Sequence, residues 1–360
     1  MTTVPLKEDT IQMLEKVVAF PSQISQAYES VTRNDTLSHR FAGGISNIVV
    51  MGMGASGLVG DFLRVLLRNS RVPIHVQKSG SLPLFVNGET LVIAITYSGK
   101  TRETLEALNE SISRGAMNVV MTSSHELQAL CSKKEIPLIS VPENGFPRAT
   151  LGFMLISILG VLHKLGIAPS FDSDVTETLA ILHEIGKECG PEILHKSNPA
   201  RLLAAALVGR FPVIYGETDF TEVAALRWKQ QINENSKAHC YYDVFPELLH
   251  NEIEAWHHPD EEQVRNYALL LLRDSVHERH TGLEFKIGAA KRLAESKGAI
   301  VYDLWSRGRS ELARLLSLCF LGDYVSVYLA LSRGVDPGPV HNIESMKKVG
   351  FSSSKESQDV

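Results

Sequence analysis

Residues 91–105 read LVIAITYSGKTRETL, and the fold turns on how that stretch divides. Leu91-Val-Ile-Ala-Ile95 is an unbroken apolar run with the length and branching of a strand buried in a parallel sheet. It breaks into Thr96-Tyr-Ser-Gly-Lys-Thr101, where Thr96, Tyr97, Ser98 and Thr101 all carry hydroxyls. A helical pattern follows at once, with Leu105 and Leu108 on one face and Glu103 in the first turn. The first N–H groups of a helix lack partners within it, and its dipole favours negative charge there. One serine or threonine would be ordinary capping. This turn holds more donors than a cap needs, and the ligand chemistry it fits is a phosphate monoester.

Upstream, Ser46–Met51 is another short strand, leading into Gly52-Met-Gly54-Ala-Ser56-Gly57 and a helix over Leu58–Leu67. That glycine spacing matches the dinucleotide fingerprint, which also requires an acidic residue about 20 positions on, at the end of the next strand. The chain has Val76-Gln77-Lys78 there, without an acid. Ser56 and the hydroxyl turn favour a sugar phosphate over a dinucleotide, so no cofactor is expected. Pro73–Gln77, Asn118–Thr122 and Pro137–Val141 complete the strands, with helices over Thr101–Arg114 and His125–Lys133. Strands alternating with helices indicate a parallel sheet covered on both faces. Ligands in such folds bind beyond the carboxyl ends of the strands, where Ser56, Ser98 and Thr122-Ser123 all fall. Arg148 closes the loop leaving the fifth strand, just before an apolar stretch over Leu151–Leu165 that reads as a buried core helix.

The second half echoes the first. Phe211-Pro-Val-Ile-Tyr215 ends in Gly216 as Met51 ends in Gly52, and a helix over Phe220–Asn233 follows. Tyr267–Leu272 and Ala299–Leu304 are further strands, with helices over Glu278–Lys297 and Arg309–Arg333, but the hydroxyl turn is lost. The expected fold class is α/β, with two doubly wound subdomains whose parallel sheets are flanked by helices. The divisions are a helical arm over 1–40, a first subdomain over 41–165, a bridging helix in 166–200, a second subdomain over 201–335 and a C-terminal segment over 336–360. Ser352–Val360 is expected to be disordered.

Composition excludes several classes. The net charge of −5, without a basic patch interleaved with aromatics, argues against nucleic acid. Cys131, Cys189, Cys240 and Cys319 are scattered without a CxxC, which indicates neither zinc nor a disulfide framework and fits a reducing cytoplasm. The N-terminus lacks a signal-peptide pattern, and no apolar run is expected to reach the ~20 residues of a membrane span. His257-His258 precedes Pro259-Asp-Glu-Glu and reads as a solvated turn, without a third ligand spaced for a metal.

With both turns placed, GMGASG and TYSGKTRETLEAL resemble a sugar isomerase (SIS) domain. From about residue 10 to 350 the chain resembles the bifunctional phosphoglucose/phosphomannose isomerases. The matching stretches are Met13–Pro21, Phe146–Gly152, Gln231-Ile-Asn-Glu234-Asn-Ser, Pro246-Glu-Leu-Leu-His250-Asn-Glu and Val335–Ile343. The resemblance implies metal-independent interconversion of glucose 6-phosphate, and mannose 6-phosphate, with fructose 6-phosphate through a cis-enediol. It assigns the phosphate to Ala55, Ser56, Thr96, Ser98 and Thr101, and stabilisation of the enediolate to Arg148. Glu234 matches the base and His250 the histidine that opens the ring. Lys347 is the closest match to an assisting lysine, with Lys348 beside it. That histidine comes from the neighbouring subunit in related isomerases, so a homodimer with shared sites is expected. Two departures stand out: Thr96 replaces a common serine, and Gly338 lies where Asp-Pro-Thr-Pro is expected. A non-catalytic SIS regulatory protein is the alternative; it would not require Glu234, His250 and Lys347.

The residue types suit the chemistry. A single carboxylate can move one proton between adjacent carbons of a planar enediol if partial burial raises its pKa toward neutrality. A histidine suits transfer to and from the ring oxygen. Read alone, His250 fits equally well as a surface residue beside inward-turned Leu248 and Leu249, and Glu234 as a solvated acid at a helix C-terminus, where the dipole disfavours it.

Overall fold

The computed structural model describes residues 8–33, 44–143, 145–257 and 261–349. Two helices open the chain, α1 (Glu8–Val18) and α2 (Phe20–Arg33), with Pro21 in the first turn of α2 where its missing N–H is not needed. The first sheet uses β1 (Asn47–Met51), α3 (Ala55–Leu66), β2 (Ile74–Gln77), β3 (Thr90–Ile95), α4 (Arg102–Ser113), β4 (Met117–Thr122), α5 (His125–Lys133) and β5 (Leu138–Ser140). Its strands lie in the order β2-β1-β3-β4-β5, all parallel. A 3-10 turn, Pro147–Ala149, leads into α6 (Leu151–Lys164), then α7 (Asp172–Cys189) and α8 (Pro199–Leu207) bridge to the second half.

There follow β6 (Phe211–Glu217), α9 (Glu222–Ser236), β7 (Tyr241–Phe245), two 3-10 turns over Glu247–His250 and Glu252–Trp256, α10 (Glu261–Arg265), β8 (Tyr267–Arg273), α11 (Ser275–Thr281), α12 (Glu284–Ser296), β9 (Ile300–Trp305), α13 (Glu311–Ser332) and α14 (His341–Lys348). The second sheet runs β7-β6-β8-β9, again parallel. With β6 in the place of β1 this is the order of the first four strands of the first sheet, without a counterpart of β5 among the described residues, so the weak sequence echo is a topological repeat. The expected single helix over Glu278–Lys297 is two, broken at Gly282, which adopts a φ of 72°. The expected disorder of Ser352–Val360 lies outside the described residues, as do His258 and Pro259.

Strand alternation assigns each face. Ile48 and Val50 of β1, Ile214 of β6 and Leu270 of β8 point into one core shared by both sheets, built around α3, α6, α9 and α13. Val49 and Met51 face an outer layer with Ala107, Leu108 and Leu127. Val213, Tyr215, Leu269 and Leu271 face a different outer layer with Leu248, Trp256 and Ile287. The central helix α13 corrects one expectation. Its 22 residues are long and apolar enough to cross a membrane by length and composition, with a mean hydropathy of 1.6 over the window. That window is 83% buried inside the protein, so apolarity all round reflects a helix packed on every side. The four cysteines are buried free thiols.

Candidate active site

β1 ends at Met51 and turns through glycines into α3. A Cβ on Gly52 would lie 2.8 Å from the Ser56 carbonyl carbon, and one on Gly57 2.5 Å from the Gly52 oxygen, so this turn closes only without side chains. Gly54 caps α3 with a φ of 56°, leaving Ala55 and Ser56 buried in the first turn. After β3, Thr96 is buried and its Oγ1 has no hydrogen-bond partner. Such a group calls for an explanation, and a ligand oxygen supplies one. Ser98 is exposed, and its Oγ accepts from the Lys100 N–H at 3.3 Å. Thr101 is the N-cap residue of α4, yet its hydroxyl makes no capping bond. The first donors of α4 are therefore not taken by a side-chain cap.

Thr122 and Ser123 lie at the same edge with a different task. Their hydroxyls donate to the Tyr97 carbonyl at 3.4 and 2.7 Å, and Thr122 Oγ1 accepts from the Ser124 N–H. They brace the hydroxyl turn rather than face a ligand.

Glu234 lies in the last turn of α9, its side chain 24% exposed. An acid that close to a helix C-terminus opposes the dipole, and its neighbours account for it. Arg148 Nη1 stands 3.9 Å from Glu234 Oε2, at ion-pair range and too long for a hydrogen bond. Arg148 is no solvated surface side chain: it is 4% exposed, its Nε donates to Asn235 Oδ1 at 2.7 Å, and its Nη2 donates to the carbonyls of Pro337 and Gly338 at 2.6 and 2.7 Å. Burial pushes the Glu234 pKa above the ordinary carboxylate value, and Arg148, Arg227, Lys237 and Lys347 pull against that. The Arg148 turn packs on α3, which carries Ser56 in its first turn, and α3 packs on α9. Phosphate-type turn, guanidinium and carboxylate thus come from successive packed elements.

Lys347 is exposed on α14, and its charge acts on Glu234. The side chain of Lys348 is outside the described set. His250 sits on an element that packs in a different layer from the helix of Glu234. It ends an exposed 3-10 turn whose Leu248 packs on the outer face of the second sheet, whereas Ile232 of α9 packs on the inner face.

Several site residues escape sequence reasoning. Arg227 and Gln231 both donate to the buried Asp323 carboxylate, at 2.6 and 2.8 Å. Asn235 Nδ2 donates to Ser326 Oγ at 2.9 Å and Ser236 Oγ to the Ser326 carbonyl at 2.7 Å. The available signal is spacing: Arg227, Gln231 and Asn235 recur every fourth residue, one face of a helix, opposite an acid set in the apolar run of α13. Lys237, the C-cap of α9, carries no such signal.

Residues 45–158 match the SIS domain family, and residues 196–349 match the family described as the bacterial phospho-glucose isomerase C-terminal SIS domain. A bifunctional phosphoglucose/phosphomannose isomerase of Caldicellulosiruptor bescii is 37% identical over 93% of this chain and 98% of that protein. Its namesake in Thermoplasma acidophilum is 33% identical over 85% of this chain and 90% of that one. Among solved structures, a hypothetical protein of Thermus thermophilus superposes with a TM-score of 0.73 at 14% identity, covering 98% of this chain and 94% of its own. The C-terminal domain of glucosamine-fructose-6-phosphate aminotransferase from Francisella tularensis gives a TM-score of 0.69 at 14% identity over 93% and 99%. The structural likenesses speak for the fold; the sequence matches, over most of the chain, make it a member of the bifunctional phosphoglucose/phosphomannose isomerase family.

Proposed function

We propose that the protein interconverts glucose 6-phosphate, and mannose 6-phosphate, with fructose 6-phosphate through a cis-enediol. The observation that carries this is the part-buried Glu234 carboxylate facing the buried Arg148 guanidinium at 3.9 Å. The phosphate sits on Ala55, Ser56, Thr96, Ser98 and Thr101, with the first N–H groups of α3 and α4 as donors. Glu234 takes the proton from one of the two reacting carbons and returns it to the other. Its raised pKa makes it a better base than an exposed carboxylate. Arg148 has two of its three nitrogens bonded to fixed protein groups, so its charge is preorganised opposite the oxyanion of the enediolate. Lys347 adds positive charge from α14. His250 opens the ring from a second copy of the chain, because the helix that carries its own Glu234 packs on the other face of the second sheet.

The test is purified protein with fructose 6-phosphate, a chelator and no nucleotide, glucose 6-phosphate being read by a coupled assay. Glu234→Gln should lower kcat by about 10²–10⁴-fold. A Glu234→Gln variant as fast as wild type would remove the proposed base.

A further inference from the structure

α9 ends on a residue that the reaction above has not used. Lys237 takes a φ of 52° and a ψ of 36°, the left-handed conformation that glycine or asparagine usually supplies after a helix. A lysine kept there at a backbone cost points to its side chain. Lys237 Nζ donates to the Glu234 carbonyl and, at 3.3 Å, to the Pro337 carbonyl. That Pro337 oxygen is also held by Arg148 at 2.6 Å. Arg148 reaches on to Gly338, whose N–H closes on the Asp336 carboxylate at 2.9 Å. Pro337 and Pro339 stiffen the same turn. Two cations, one from each half of the chain, therefore clamp one turn against the end of the helix that carries Glu234. The chain then runs directly into α14 and Lys347.

We infer that Lys237 is a positioning residue: it fastens the Asp336–Pro339 turn to the last turn of α9 and so fixes where Glu234 and Arg148 stand relative to the sugar, without touching it. This rests on the isomerase reading. The ammonium faces Arg148 from the turn after β5, Glu234 from its own helix and Asp336 from the C-terminal segment. Burial and then Arg148 lower its pKa to about 8, against the opposing pull of the two carboxylates. Lys237 thus loses its charge just above neutral pH, and its hydrogen bonds to the turn weaken with it.

Three substitutions separate the roles. Lys237→Met removes the donor at similar length, Lys237→Gly supplies the residue this backbone favours, and Lys237→Arg keeps a donor that does not titrate. Met and Gly should lower kcat about 100-fold, the scale of a small misplacement of reacting groups. KM should change little, because the phosphate is held on α3 and α4. The Gly variant should melt no lower than wild type, which separates positioning from folding. Arg should recover most of kcat and remove a decline in rate above pH 8. Hydrogen exchange at residues 336–349 should quicken in the Met variant. Wild-type exchange over that segment in Lys237→Met would overturn the inference whatever the rate, as would wild-type kcat with an unchanged pH profile. Wild-type protein without isomerase activity would sink the isomerase reading instead, and the exchange measurement would still decide whether the clamp exists.

Discussion

Glu234, the proposed base, shows what a part-buried carboxylate costs the fold that holds it. Burial raises its pKa above the ordinary value, and four nearby cations fall short of cancelling that. The folded chain therefore keeps the proton to higher pH than the unfolded chain does. Between the two values the folded state binds more protons, so stability falls as pH rises through that window and stays lower at neutral pH. Glu234→Gln removes the charge and leaves Arg148 its bonds to Asn235, Pro337 and Gly338. The variant should melt higher than wild type at pH 7, and the gap should close below about pH 4, where the wild-type carboxyl is protonated in both states. Melting curves at the two pH values measure this. An equal gap at both would show that packing, not ionisation, decides the difference. A variant more stable and less active than wild type is what a functional group held at a cost to stability predicts.

At the scale of elements, the position of Glu234 is set by how α9 lies on α13. The two approach closely where Gly322 meets Trp228, and a Cβ on Gly322 would fall 2.4 Å from the indole Nε1. Trp228 is fully buried, and its Nε1–H donates to the Leu318 carbonyl at 2.8 Å, so the ring cannot yield cheaply. Alanine in place of glycine would gain up to about 1 kcal/mol of helix propensity. Overpacking of about 1–3 kcal/mol outweighs it. Gly322→Ala should therefore lower the melting temperature and, by moving α9, lower kcat more than it changes KM. A variant at least as stable as wild type, with kcat intact, would show that the helices separate freely. This contact also marks where sequence reading stops. Leu91–Ile95 and Asn47–Met51 are legible as strands because buried parallel strands are runs of branched apolar residues. Tyr241–Phe245 is an edge strand that the sequence reading misses: four of its five residues favour strands, but Asp243 interrupts the apolar run by which the buried strands are recognised. Ser56, Ser98, Thr101 and Glu234 stand out by local pattern or by resemblance. The partners of Arg148 do not, because they lie 87 to 190 positions away in the chain and only packing brings them in.

On the scale of the whole molecule, the layered core separates the two groups that the proposed reaction would need together. α9 lies inside, between the sheets, and the 3-10 turn that ends in His250 lies outside the second sheet. Within one chain the elements that carry them pack on different faces of the second sheet, and this supports the proposal that the histidine reaches the site from a second copy. In the proposed homodimer, two copies related by a twofold axis would each offer the outer turn to the other's cleft. Two inactive variants test this arrangement. Glu234→Gln lacks the proposed base and His250→Ala the proposed ring-opening group, so each variant's homodimer would have two defective sites. In a mixed dimer one site collects both defects, and the other combines the Glu234 of one subunit with the His250 of its partner. Unfolding and refolding an equal mixture should make half the dimers mixed, each with one sound site, and restore about a quarter of wild-type activity. Refolding each variant alone should restore none. If the mixture stays as inactive as its components while size-exclusion chromatography shows mixed dimers, the histidine acts within its own chain or not at all. Activity that persists in a dilute monomer would count equally against a shared site.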